Sequence, residues 1–246
     1  MEVENPDSET SSAAPRANAG LLPSLGRLVR GLSALFWGLP IALVICVQTA
    51  KTDWLGPVGL VAPLLPTGLL LVALLFLGSF QPQERVWRGA LDRAKTLAII
   101  NVGLAPFLYW WNRLPWQPFY TAVVNLMLIT GLLFLFAVNP VLLRLTAMLP
   151  DETLRAETRL FTSINRGFLI AGIAFLLGYF ALAYVTRLPQ VTMRVPQIVA
   201  DFLTIWERGF GEAILLLLVL PPIAISMALI WRTKEVILAS VFGQES

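Results

Sequence analysis

Six apolar runs, near residues 31–50, 55–80, 96–112, 119–138, 167–187 and 211–231, dominate the chain and limit what it can fold into. An α-helix needs about 20 apolar residues to cross a bilayer's hydrocarbon core. No water is available there for open backbone groups, so a crossing segment must be a helix or part of a closed barrel. The runs are continuous rather than alternating, which selects helices. Composition agrees. Of 246 residues, 57% are hydrophobic and 13% charged, whereas soluble domains carry about 25% charged residues. The chain is read as an all-α, polytopic integral membrane protein, with six transmembrane helices within residues 21–236. The third run, "TLAIINVGLAPFLYWW", is the shortest. It ends in Tyr109, Trp110 and Trp111, side chains that favour the membrane–water interface.

The basic residues orient these spans. With six crossings, the two chain ends and loops 2 and 4 share one side. Thirteen Lys and Arg fall there: Arg16, Arg27 and Arg30; Arg85, Arg88, Arg93 and Lys95; Arg144, Arg155, Arg159 and Arg166; Arg232 and Lys234. The other side holds five: Lys51, Arg113, Arg187, Arg194 and Arg208. Cytoplasmic loops carry the Lys/Arg excess, so both termini are expected in the cytoplasm, with the protein in the inner or plasma membrane of a cell. Five or seven spans break this alternation. The start, "MEVENPDSETSSAAPRANAG", carries Glu2, Glu4, Asp7 and Glu9 where a signal peptide needs basic residues. Residues 1–20 are read as a disordered acidic cytoplasmic tail, and 237–246 as a short C-terminal one.

Loops 81–95 and 139–166 read as helical. In the first, Val86, Trp87, Ala90, Leu91 and Ala94 share a helical face. Each is expected to lie on the membrane surface, to extend the following span, or to dock a cytoplasmic partner. Outside, "VPQIVADFLTIWERGF" places Ile198, Phe202 and Trp206 on one face of an interfacial helix.

Chemistry is sparse. The chain has no histidine, which removes the commonest metal ligand and general base. Its single cysteine, Cys46, cannot form an internal disulfide. Nothing implies a cofactor, a metal or a nucleic-acid partner, and no catalytic motif is present. Spans 1 to 5 contain no charged side chain between their expected ends.

The polar and hinge candidates are few. Asn101 and Asn125 lie within spans, where they can bond between helices or line a path. Glu212 lies nine residues before Pro221, about 14 Å along a helix, at the edge of the hydrocarbon. Pro221 and Pro222 remove two N–H donors, so the carbonyls of Leu217 and Leu218 lose helical partners and the span is expected to kink. Pro40, Pro63, Pro66 and Pro106 add bends to spans 1 to 3. Gly167, Ala171, Ala174, Gly178 and Ala181 form a strip of small side chains along span 5, suited to close helix contact with an internal or external partner. "TGLL" at 67–70 recurs at 130–133, and "INVG" at 100–103 is echoed by "INRG" at 164–167, which hints at related hairpins.

The expected function is that of a non-catalytic membrane subunit that packs with, or scaffolds, partner proteins in a larger complex. The alternative is a transport permease for an apolar or amphipathic substrate, with a separate ATPase as its driver. The expected partners are the lipid bilayer and membrane proteins or a second copy.

Overall fold

The computed structural model describes residues 14–52, 58–80, 83–148, 152–185 and 211–242. Every regular element among them is an α-helix: α1 (Ala14–Lys51), α2 (Val61–Gly78), α3 (Arg85–Leu104), α4 (Phe107–Arg113), α5 (Pro118–Ala147), α6 (Glu152–Val185) and α7 (Gly211–Phe242). Five stretches are long and apolar enough to cross a membrane: Pro23–Lys51, Val61–Gly78, Pro118–Ala147, Glu152–Tyr184 and Leu216–Ala239. They make the chain compatible with an integral membrane protein. The interfacial stretch with Ile198, Phe202 and Trp206 lies outside the described residues, as does the side chain of Glu212, the second residue of α7.

The third apolar run departs from the expected single span. Its helix breaks at Ala105–Pro106, leaving α3 with a charged first half and α4 with seven residues. Pro106 has no N–H to offer Val102, so one rung of the helical ladder is missing there. Tight turns replace it: Leu108 N donates to Ala105 O (3.2 Å) and Tyr109 N to Pro106 O (3.3 Å). The other internal prolines leave their helices continuous: Pro23 and Pro40 in α1, Pro66 in α2, Pro140 in α5, and Pro221 and Pro222 in α7.

Helices also extend beyond the apolar runs. α1 starts at Ala14, inside the stretch read as a tail, and α7 runs to Phe242. Loop 139–166 is largely the end of α5 and the first half of α6. Backbone hydrogen bonding does not stop where the apolar run stops, and no glycine or proline intervenes between Val141 and Met148. Loop 81–95 likewise belongs to α3. Its Trp87, Leu91 and Ala94 continue into Ala98 and Asn101 as one buried stripe, while Arg85, Arg88, Asp92 and Arg93 stay exposed. Trp87 Nε1 donates to Phe80 O at 3.1 Å and ties the start of α3 to the end of α2.

Glycines set the closest approach between α1 and α2. A Cβ on Gly31 would strike Leu77 Cδ1 and come within 3.0 Å of Ala73 O; one on Gly38 would come within 2.8 Å of Leu70 Cδ2. The two helices therefore run antiparallel, with Leu28, Leu32, Leu35 and Leu39 of α1 buried in the core alongside Leu70, Leu74 and Leu77 of α2. α3 and α4 together carry the chain from the end where α2 stops to the end where α1 stops. There Asn112 Nδ2 donates to Thr52 O at 3.3 Å, and Trp111 Nε1 to Thr121 Oγ1 of α5 at 3.3 Å. α5, α6 and α7 then alternate in direction. Trp231, late in α7, returns to Phe36 of α1, with ring centroids 5.7 Å apart.

Candidate functional site

Three features of the bundle have the makings of a site. The first is a cavity of about 260 Å³ between α1, α2, α3, α4, α5 and α7. Its wall includes Cys46, Leu70, Ala98, Met127, Gly131 and Ile223. Asn101 reaches this wall with its hydrogen bonds already made. Its Nδ2 donates to Leu97 O (2.8 Å) and Thr130 O (3.3 Å), and its Oδ1 accepts from Thr130 Oγ1 (3.0 Å). Thr67 Oγ1 is turned back onto Pro63 O at 2.7 Å. The cavity thus presents carbon.

The second feature is a polar seam between α5, α6 and α7. Asn139, Asn165 and Ser226 are 2%, 0% and 0% exposed. Asn165 Nδ2 donates to Asn139 Oδ1 (2.8 Å) and Ser226 Oγ (3.1 Å), and Ser226 Oγ donates to Pro222 O (2.8 Å). Seven residues along each helix stands a fully buried threonine: Thr146, Thr158 and Thr233. Because α6 runs antiparallel to its neighbours, these threonines form a second layer about two turns below the first. Thr146 and Thr233 bond their own helices. Among the described residues, Asn139 Nδ2, Asn165 Oδ1, Thr158 Oγ1 and Thr162 Oγ1 have no partner.

The third feature is the outer face of α6. The strip Gly167, Ala171, Ala174, Gly178 and Ala181 is exposed throughout, and a Cβ on Gly167 or Gly178 would meet nothing within 4 Å. Among the described residues no helix covers this strip. The buried face is the opposite one, with Leu154, Thr158, Thr162, Asn165, Leu169, Gly172 and Leu176. Gly172, one residue from Ala171, makes the close contact: a Cβ there would come within 2.9 Å of Leu218 Cδ2 of α7. The exposed strip extends towards the N-terminus through Ile164 and Leu160, 43% and 61% exposed. Its spacing from Leu160 to Ala181 is 4, 3, 4, 3, 4, 3.

Among the sequence candidates, Asn101 is buried in the α3–α5 contact and Asn125 is half-buried on α5. Pro222 is buried beside the polar seam, while Pro221 is half-buried. Spans ending at 138 and starting at 167 leave Asn139 and Asn165 outside the expected helices, and Ser226 is a lone hydroxyl within the last span. Their seven-residue echo in three threonines was the available signal. Both asparagines of the "INVG" and "INRG" words are buried, Asn101 in the last turn of α3 and Asn165 within α6, and both bond to α5. Among the described residues, no three His, Cys, Asp or Glu side chains cluster in a way that would hold a metal. No protein-family model matches the chain, and no curated protein and no solved structure matches it significantly.

Proposed function

We propose that the chain is a non-catalytic, multi-pass membrane subunit that packs against a partner membrane protein through the outer face of α6. The carrying observation is the exposed strip from Leu160 to Ala181, whose seven positions alternate by four and three residues. That heptad spacing keeps one face turned to a partner helix crossing at a shallow angle. Small side chains there let backbones approach closely, which is how helices gain contact energy in lipid. Among the described residues, α6 is also the least covered of the apolar helices. Only 17% of its most apolar stretch is buried, against 39–44% for the other four.

In this reading α3 and α4 together make a sixth crossing, bent at Pro106, and the two termini face the cytoplasm. The inner ends of α5 and α6 then stand beyond the hydrocarbon. There Leu160 and Ile164 share the exposed surface of α6 with Glu157, Arg159 and Arg166, a mixture suited to protein contact rather than to lipid.

Site-specific cross-linking in native membranes tests this. In a Cys46→Ser background, Ala174→Cys labelled with a maleimide–benzophenone reagent is expected to give a discrete product on irradiation. Leu65→Cys on the exposed face of α2 is expected to give none. Equal cross-linking at both positions, or none at Ala174, defeats the proposal.

The interior cavity favours a second reading, transport of an apolar substrate. Movement of such a substrate across vesicles that contain only this chain and its driving ATPase tests it.

A further inference from the structure

We infer that the apolar cavity between the helices is a binding site for a single hydrocarbon chain of a membrane lipid. The inference concerns occupancy of the cavity, not movement through it, and so does not rest on the α6 face. Four observations carry it. The cavity measures about 260 Å³, beyond the roughly 150 Å³ that holds a benzene molecule. In proportion, it takes roughly ten carbon atoms. Its wall runs from Leu39 to Ala50 along α1, about 16 Å at 1.5 Å per residue, so its shape suits an extended chain.

The chemistry of the wall selects the ligand. Thr67 and Asn101 are its polar side chains besides the weakly polar Cys46 thiol. Thr67 Oγ1 is committed to Pro63 O, and Asn101 to Leu97 O and Thr130. A ligand with donors or acceptors inside the cavity would lose its water and find no partner. A methylene chain loses nothing. The helices that enclose the cavity include the long apolar ones, so acyl chains are the abundant hydrocarbon at hand.

Gly131 offers a clean plug. A Cβ there would meet nothing closer than Asn101 Oδ1 at 3.9 Å, so a leucine side chain grows into the cavity without a backbone clash. Gly103, on the exposed face of α3 with nothing within 4 Å, gives the matched control for replacing a helical glycine.

The experiment is native mass spectrometry of the full chain, purified from its membranes in mild detergent. Wild type and Gly103→Leu are expected to retain one phospholipid per chain, and Gly131→Leu at least tenfold less. Stripping lipid with harsher detergent is expected to lower the melting temperature of wild type and to leave that of Gly131→Leu unchanged. Equal lipid retention in all three proteins overturns the inference. So does a bare wild type whose melting temperature rises on Gly131→Leu, because that marks an empty void. Retention of a small apolar compound in place of a phospholipid overturns the assignment to lipid. If Gly131→Leu does not fold, retention and the stripping shift in wild type decide alone.

Discussion

Asn165 has no contact with the surroundings of the bundle, and its energy is set by two hydrogen-bonded neighbours. It gives its amide protons to Asn139 and Ser226 while its own carbonyl oxygen has no partner. Asn165→Ala leaves two more polar atoms without a donor. It is expected to lower stability by about 0.6–2 kcal/mol, read as a lower melting temperature in detergent. Thr158→Val is the contrasting case. It replaces an unpaired buried hydroxyl with a methyl of nearly the same shape, so the melting temperature is expected to hold or rise. Glycines divide in the same way. At Gly31 the obstacle to a Cβ includes the Ala73 carbonyl, part of a neighbouring helix backbone; at Gly172 it is the flexible end of Leu218. Gly31→Ala is therefore expected to cost about 1–3 kcal/mol, and Gly172→Ala clearly less. A sequence lists all three glycines on α6, Gly167, Gly172 and Gly178, alike. Which one touches a neighbour depends on the rotation of the helix against α7.

At the scale of helices, proline positions were visible in the chain, but their effects were not equal. Pro106 ends a helix, whereas Pro221 and Pro222 sit within an unbroken α7. Neighbours supply the difference. Past the break, α4 is held by Asn112 to the end of α1 and by Trp111 to α5. In α7, Ser226 Oγ accepts from Asn165 and donates to the Pro222 carbonyl, which ties the turn after the prolines to α6. Pro106→Ala returns an N–H to the ladder. It is expected to slow amide hydrogen exchange at Leu108 and Tyr109 and to loosen the contact of Asn112 with Thr52. Unchanged exchange at both amides counts against proline as the cause of the break. The run lengths gave the cores of five helices, but not their ends. Helix ends follow turn residues and packing beyond the hydrocarbon, which puts Asn139 and Asn165 inside helices rather than in a loop.

At the scale of the whole molecule, an apolar cavity lies towards one end of the bundle and a polar seam towards the other. α5 and α7 pass through both. Thirteen basic residues belong to the end that carries the seam or to its expected loops and tails. Two reporters fused to Met1 and to Ser246 are expected to report the same side of the membrane. Opposite sides would remove the sixth crossing and the cytoplasmic placement of the inner ends of α5 and α6. By itself the sequence determined that the chain is helical and suited to lipid, because continuous apolar runs leave a backbone no other way to satisfy its own hydrogen bonds. It also determined where polar atoms are scarce. Only the tertiary structure decided which face of each helix is covered. Inside a bilayer, apolar side chains are equally at ease against lipid and against protein, so apolar pattern alone cannot separate the outer strip of α6 from the core, or the cavity from solid packing.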